Sequence, residues 1–166
     1  MQNFQEFLEN SLQQNIKKLV PLTGGASADI NRIILENNNE LIVRRSLSKE
    51  QSVMAVPKKL EAKIQRIVRS NDAPVPEIIF EFSEDEDIGE GYVMEAIPGE
   101  TIPRKILRDD KYKNVRSKLS FEIGRSLATI HQTKLDELND LDKVTFEESL
   151  KKLYLVYSSF EQPQPV

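Results

Sequence analysis

Two adjacent glycines flanked by hydroxyls, Thr23-Gly24-Gly25-Ala26-Ser27, precede an apolar run that ends in arginine, Leu41-Ile42-Val43-Arg44-Arg45. Paired glycines let backbone N–H groups turn toward a ligand at little steric cost, and the Ser27 hydroxyl can donate to a phosphate oxygen. The same residues also suit a plain hairpin turn. Arg44 alternates in phase with Ile42, so both belong on one side of a strand, and Glu61 follows on the next helix. An Arg44–Glu61 pair would fix a cation over nucleotide phosphates, or would be an ordinary surface ion pair. The third piece is Tyr92-Val93-Met94-Glu95-Ala96-Ile97-Pro98-Gly99-Glu100, an apolar strand running into a Pro-Gly turn. Such a segment can join two lobes and offer N–H and C=O groups to a base edge, or it can be a packed strand with Met94 as filler.

The elements that must position these residues follow from periodicity. Phe4, Phe7, Leu8, Leu12, Ile16 and Leu19 have helical spacing, which predicts a lead-in helix over 4–19 with Lys17 and Lys18 at its C-terminal end. Val20 to Thr23 and Asp29 to Leu35 read as strands joined by the glycine turn. Asn37-Asn38-Asn39 reads as a hairpin turn tolerant of positive φ, and Glu40 to Ser46 as the third strand. From Pro57 the period changes to a helix with a stripe of Leu60, Ile64, Ile67 and Val68, ended by Asn71-Asp72-Ala73-Pro74. Ile78 to Phe82 and Tyr92 to Ile97 are two more strands, separated by the acidic stretch 84–87 and two glycines as a solvated hairpin loop. Beyond Pro98-Gly99 come a short helix with Ile106 and Leu107, a longer one with Val115, Leu119, Ile123, Leu127 and Ile130 on one face, and a last one around Phe146 to Tyr157. The expectation is an α+β fold: a five-stranded antiparallel sheet with one inserted helix, followed by helices.

Composition narrows the function classes. The 166 residues are 39% apolar and 30% charged, as in a folded soluble domain. With 23 basic against 27 acidic residues the formal charge is −4, and no basic stripe is interleaved with aromatics, so nucleic acid is not an expected partner. There is no cysteine and a single histidine, which leaves oxygen ligands alone for any metal. No stretch resembles a secretory signal or a bilayer span, which gives an expectation of no membrane and a cytoplasmic location.

In order and spacing the motifs resemble those of the aminoglycoside phosphotransferase and choline kinase-like superfamily, which shares the protein kinase fold. The matching pieces are Leu22-Thr23-Gly24-Gly25-Ala26-Ser27, Ile42-Val43-Arg44, Glu61, Pro74-Val75-Pro76, Met94-Glu95 and Leu127-Ala128-Thr129-Ile130-His131, over roughly residues 16–160. The resemblance implies a kinase-like N-lobe at 1–97, a hinge or linker at 98–102, and at 103–166 the helical start of a C-lobe that is incomplete. It implies ATP as cofactor, with Gly24, Gly25 and Ser27 over its phosphates. Arg44 would take the place of the usual lysine with Glu61 as partner, and Met94, Glu95 and Ala96 would form the adenine hinge. Arginine at that place is similar to the subgroup related to acyl-CoA dehydrogenase-linked phosphotransferases, whose expected acceptor is a hydroxyl on a small metabolite.

The chain also departs from the family's pattern. Ala28-Asp29-Ile30 follows the loop serine, and a carboxylate there is unfavourable beside phosphates unless Asp29 points away or meets Mg²⁺. The family's His-Gly-Asp catalytic loop and Ile-Asp metal motif have no match, since His131 precedes Gln132-Thr133 and Asp140 and Asp142 lack a suitably spaced asparagine. His131 is expected to be structural and Glu147-Glu148 to be a helix N-terminal pair. No catalytic or metal-ligating residue is therefore assigned, and Mg²⁺ is expected only with the missing lobe. The leading expectation is the nucleotide-binding N-terminal part of an ATP-dependent small-molecule phosphotransferase, inactive alone. The alternatives are a non-catalytic kinase-like binding or regulatory module, and an α+β domain with no nucleotide site.

Overall fold

In a computed structural model, the described residues are 3–22, 29–47, 56–83, 87–134 and 144–159. A helix, α1 (Phe4–Leu12), leads into strand β1 (Ile16–Pro21), followed by β2 (Asp29–Leu35) and β3 (Glu40–Ser46). Helix α2 (Lys58–Ser70) precedes β4 (Ile78–Ser83) and β5 (Glu90–Glu95), and helices α3 (Pro103–Arg108), α4 (Lys113–His131) and α5 (Phe146–Ser158) complete the order. The strands form one antiparallel sheet in the order β1-β2-β3-β5-β4. The expected α+β architecture is present.

The expected helix over 4–19 ends at Leu12. Asn3 caps its start by accepting from Gln5 N at 3.2 Å, and Gln13 closes it in the left-handed region at φ 53°. Ile16 to Leu19 instead pair with β2, from Ile16↔Leu35 to Leu19↔Ile33, with a register shift between Ile16 and Lys18. That bulge accounts for the difference. One extra residue lets Ile16 and Leu19 face the same core, so a strand acquires the three-residue spacing of a helix.

The hairpin between β2 and β3 is as expected, with Asn38 at φ 62°. β5 lies two residues earlier than the sequence suggests, because its last ladder partners are Leu41↔Glu95 on one side and Ile78↔Met94 on the other. Its start includes Gly91, where a Cβ would lie 2.5 Å from the Phe82 ring and 2.6 Å from the Arg44 carbonyl oxygen. The loop before it is not wholly solvated, since Ile88 is buried in the core.

The two faces of the sheet have separate cores. On one, Leu8 of α1 packs with Ile16, Ile33, Leu35, Val43 and Val93, and Phe82 meets Phe7 edge-on at 5.2 Å between centroids. On the other, α2 rests on Ile78, Tyr92 and Met94 through Ala62. Of the expected α2 stripe only Val68 is buried; Leu60, Ile64 and Ile67 are half-exposed. A small residue at 62 lets the helix approach the sheet closely, which sequence hydrophobicity alone underweights.

Helices α4 and α5 follow their expected apolar spacing, yet none of their residues is buried. Val115, Ile123, Leu127, Phe146 and Leu155 remain exposed. Glu148 stands at the N-terminus of α5 as expected: Thr145 Oγ1 accepts from its N–H at 3.2 Å, and its carboxylate accepts from Thr145 N at 2.7 Å. His131 is the last residue of α4.

Candidate functional site

Strand β3 pairs through Ile30↔Arg44 and Arg44↔Tyr92. Alternation along it sends Ile42 and Arg44 toward α2, and Val43 and Arg45 toward α1. Glu61 lies in the first turn of α2, which puts its carboxylate over β3 and β5. Arg44 Nε donates to Glu61 Oε2 at 3.0 Å, so the expected pair is formed. Glu61 has two further partners beyond the expected one. Lys58 Nζ donates to Glu61 Oε1 at 2.7 Å, and the Tyr92 hydroxyl donates to Oε2 at 3.2 Å. The signals available were the three-residue helical spacing of Lys58 and Glu61, and the place of Tyr92 opposite Arg44 once the register is known.

Roughly a quarter of each side chain of the Arg44–Glu61 pair is exposed (26% and 24%), whereas Lys58 is at 5%. Among the described residues only Nε of the guanidinium is used. Nη1 and Nη2 have no protein partner among the described residues. The group is thus oriented from one side through Nε, a geometry that suits bidentate contact of the two terminal nitrogens with an anion such as phosphate.

Burial pushes the Glu61 carboxyl up, but hydrogen bonds from Lys58 and Arg44, and their charges, more than offset this and hold it below its ordinary value of 4.5. Burial and the neighbouring Glu61 charge push the Tyr92 phenol up to about 12, so it stays a neutral donor. A lowered folded-state value means that Glu61 stabilises the fold above 4.5 and loses that contribution as pH falls through the lower value. Thermal melts of the wild type should therefore drop more steeply below pH 4.5 than those of Glu61→Gln; parallel curves would overturn the prediction.

Met94 packs beside Ala62 and Tyr92 and lies 3.8 Å from Gln65 Nε2 through its sulfur. Glu95 turns its carboxylate out, 3.3 Å from Glu77 N and 3.8 Å from Arg69 Nη1, while its own N–H donates to Glu77 O at 2.9 Å. Ala96, just past the strand, lines a cavity of about 300 Å³ with Ile42, Ile97, Pro98 and Gly99, rimmed by Arg32 and Glu40. Of the three expected hinge residues, Ala96 reaches this cavity, and the Glu95 side chain is engaged elsewhere.

Asp29 points away from Arg44. It accepts from Arg45 Nε at 2.8 Å and from Asn31 Nδ2 at 2.8 Å on the α1 face, where Arg45 also covers the Phe4 ring at 3.5 Å. The Asp29 carboxylate therefore lies on the sheet face opposite Arg44. Gly24, Gly25 and Ser27 lie outside the described residues, as do Asp140 and Asp142. Among the described residues no group of three or more His, Asp or Glu could hold a metal ion, and no helix is long and apolar enough to cross a membrane.

A five-stranded antiparallel sheet whose third strand carries a cation paired to a helix glutamate, followed by helices, is the N-terminal lobe of a protein-kinase-like fold. Residues 18–155 match the Phosphotransferase enzyme family, and the chain belongs to it. No curated protein matches the chain.

Proposed function

We propose that these residues form the nucleotide-holding part of an ATP-dependent phosphotransferase acting on a small-molecule hydroxyl. The observation that carries this is the half-used guanidinium of Arg44: Nε is fixed by Glu61, and the other two nitrogens lack a protein partner among the described residues. Ile42, on the same face of β3, lines the cavity beside Ala96, so a base there and phosphates at Arg44 would lie along one strand. In this reading Gly24, Gly25 and Ser27 cover the phosphates, Met94, Glu95 and Ala96 form the hinge, and 98–102 links the lobe of 1–97 to the helices of 103–166.

When bound, ATP supplies the phosphoryl group. What these residues contribute is position and charge: an arginine held in one direction, a carboxylate kept ionised to hold it, and a cavity lined in part by Ile42 and Pro98. The orienting aspartate and the metal ligands of phosphoryl transfer are assigned to none of these residues, so the lobe is expected to bind nucleotide and not to turn it over. Arginine at position 44 further suggests the subgroup related to acyl-CoA dehydrogenase-linked phosphotransferases.

The test is titration of the purified chain with a non-hydrolysable ATP analogue and Mg²⁺, followed by melting and by backbone NMR. A saturable rise in Tm, with shifts at Ile42, Arg44 and Ala96, is the expected result. At a hundredfold excess over Kd the stabilisation should reach about 2.7 kcal/mol. An unchanged Tm and unchanged spectrum at millimolar analogue would overturn the reading.

A further inference from the structure

We propose that Lys58 is a positioning residue of this site, holding one carboxylate oxygen of Glu61 so that the carboxylate plane is fixed and the Arg44 guanidinium on the other oxygen faces one direction. The proposal rests on the nucleotide reading only for its binding consequence. Lys58 is the first residue of α2, where the helix dipole disfavours a cation, and its side chain is almost fully buried. A first helical turn with no other demand on it favours Asp or Glu there. Its partner accounts for the choice, since Nζ meets Oε1 at 2.7 Å while Oε2 receives Arg44 and Tyr92. Lys58 makes no other hydrogen bond among the described residues.

Donors on both oxygens fix the plane of the carboxylate; with Lys58 removed, one oxygen is unheld, the plane is free to turn about Cγ–Cδ, and the direction it imposes on Arg44 is lost. The charges point the same way. Two cations share one carboxylate, so the cluster keeps a net positive charge after its internal pairing, as an anion site requires. Glu61 with Arg44 alone would be neutral.

The experiment compares wild type, Lys58→Met and Lys58→Arg in the 166-residue chain. Three readouts are used: the Arg44 Nε–H NMR signal, the Glu61 carboxyl titration, and affinity for the ATP analogue with Mg²⁺. Lys58→Met is expected to broaden or lose the Nε–H signal, to raise the Glu61 midpoint, and to weaken the analogue by about tenfold, the scale of one misaligned charge-assisted hydrogen bond. Lys58→Arg, which restores a cation to Oε1, should recover the signal and most of the affinity. A residue that only packs the helix start would leave the Nε–H signal and the Glu61 midpoint unchanged in Lys58→Met, and that result overturns the proposal. Should Lys58→Met fail to fold, Lys58→Gln, polar but too short to reach Oε1, is read in the same way. If the wild type binds no analogue, the nucleotide reading fails, and the two NMR readouts still decide the role of Lys58.

Discussion

Arg44→Met is expected to weaken binding of the ATP analogue by about 10- to 100-fold while leaving the chain folded. A hydrogen bond to a charged group contributes about 1.5–3 kcal/mol, and each 1.4 kcal/mol is tenfold in Kd. The effect on stability should be far smaller. The Arg44–Glu61 pair is about a quarter exposed, and Glu61 would retain Lys58 and Tyr92 as partners. With water screening the pair, its loss should cost no more than about 1 kcal/mol. Calorimetric titration and a thermal melt of the same sample separate the two. Arg44→Lys is the informative companion: it restores the charge as a single point without the planar fork, so an affinity between wild type and Arg44→Met is expected. If Arg44→Met binds the analogue as tightly as wild type, the phosphates lie elsewhere and the half-used guanidinium has another purpose.

How far this site is legible in the sequence depends on the range of the interactions that build it. Arg44 and Glu61 could be paired from the sequence because each lies on a regular element: period-two alternation sets the side of β3, and the helical start after Pro57 sets the place of Glu61. Tyr92 is not legible there because its place opposite Arg44 follows from the β3–β5 register, whereas Lys58 stands three residues before Glu61 on α2, a local signal that by itself does not show the carboxylate already shared with Arg44. The same distinction between local preference and long-range pairing runs through the rest of the fold. The hairpin at Asn38 is a local matter of backbone preference. Ile16 to Leu19 look helical because a bulge made in pairing with β2 gives them helical spacing. Gly91 reads as a loop residue, whereas the Phe82 ring lies across it and excludes a side chain. Asp29 reads as a hazard to phosphates until Arg45, its cross-strand neighbour, is seen to hold it on the far face. The outward turn of the Glu95 carboxylate, toward Glu77 N and Arg69, likewise depends on contacts far along the chain.

Leu8→Ala is expected to be the most destabilising single change considered, at about 2–5 kcal/mol. Leu8 is fully buried between α1 and the sheet, against Ile16, Ile33 and Val93, so truncation leaves a cavity and removes the contact that docks α1. Against a total stability of about 5–15 kcal/mol for a domain, that loss would be a large fraction of the whole. Leu127→Ala and Leu155→Ala provide the contrast. Both side chains are exposed, at 49% and 69%, so these changes should stay within about 0.5 kcal/mol. Urea titration of the three variants checks the ordering, with the midpoint read at constant slope. A Leu8→Ala midpoint close to wild type would mean that α1 is not part of the cooperative unit. Large losses at Leu127 or Leu155 would mean that α4 or α5 is covered in solution, by a second copy or by more of the same fold. Leu8 and the Glu61 cluster lie on opposite faces of the sheet, so a folded population of Leu8→Ala should still show the Arg44 Nε–H signal. That separates a change in how much of the chain is folded from a change in how the folded site is arranged.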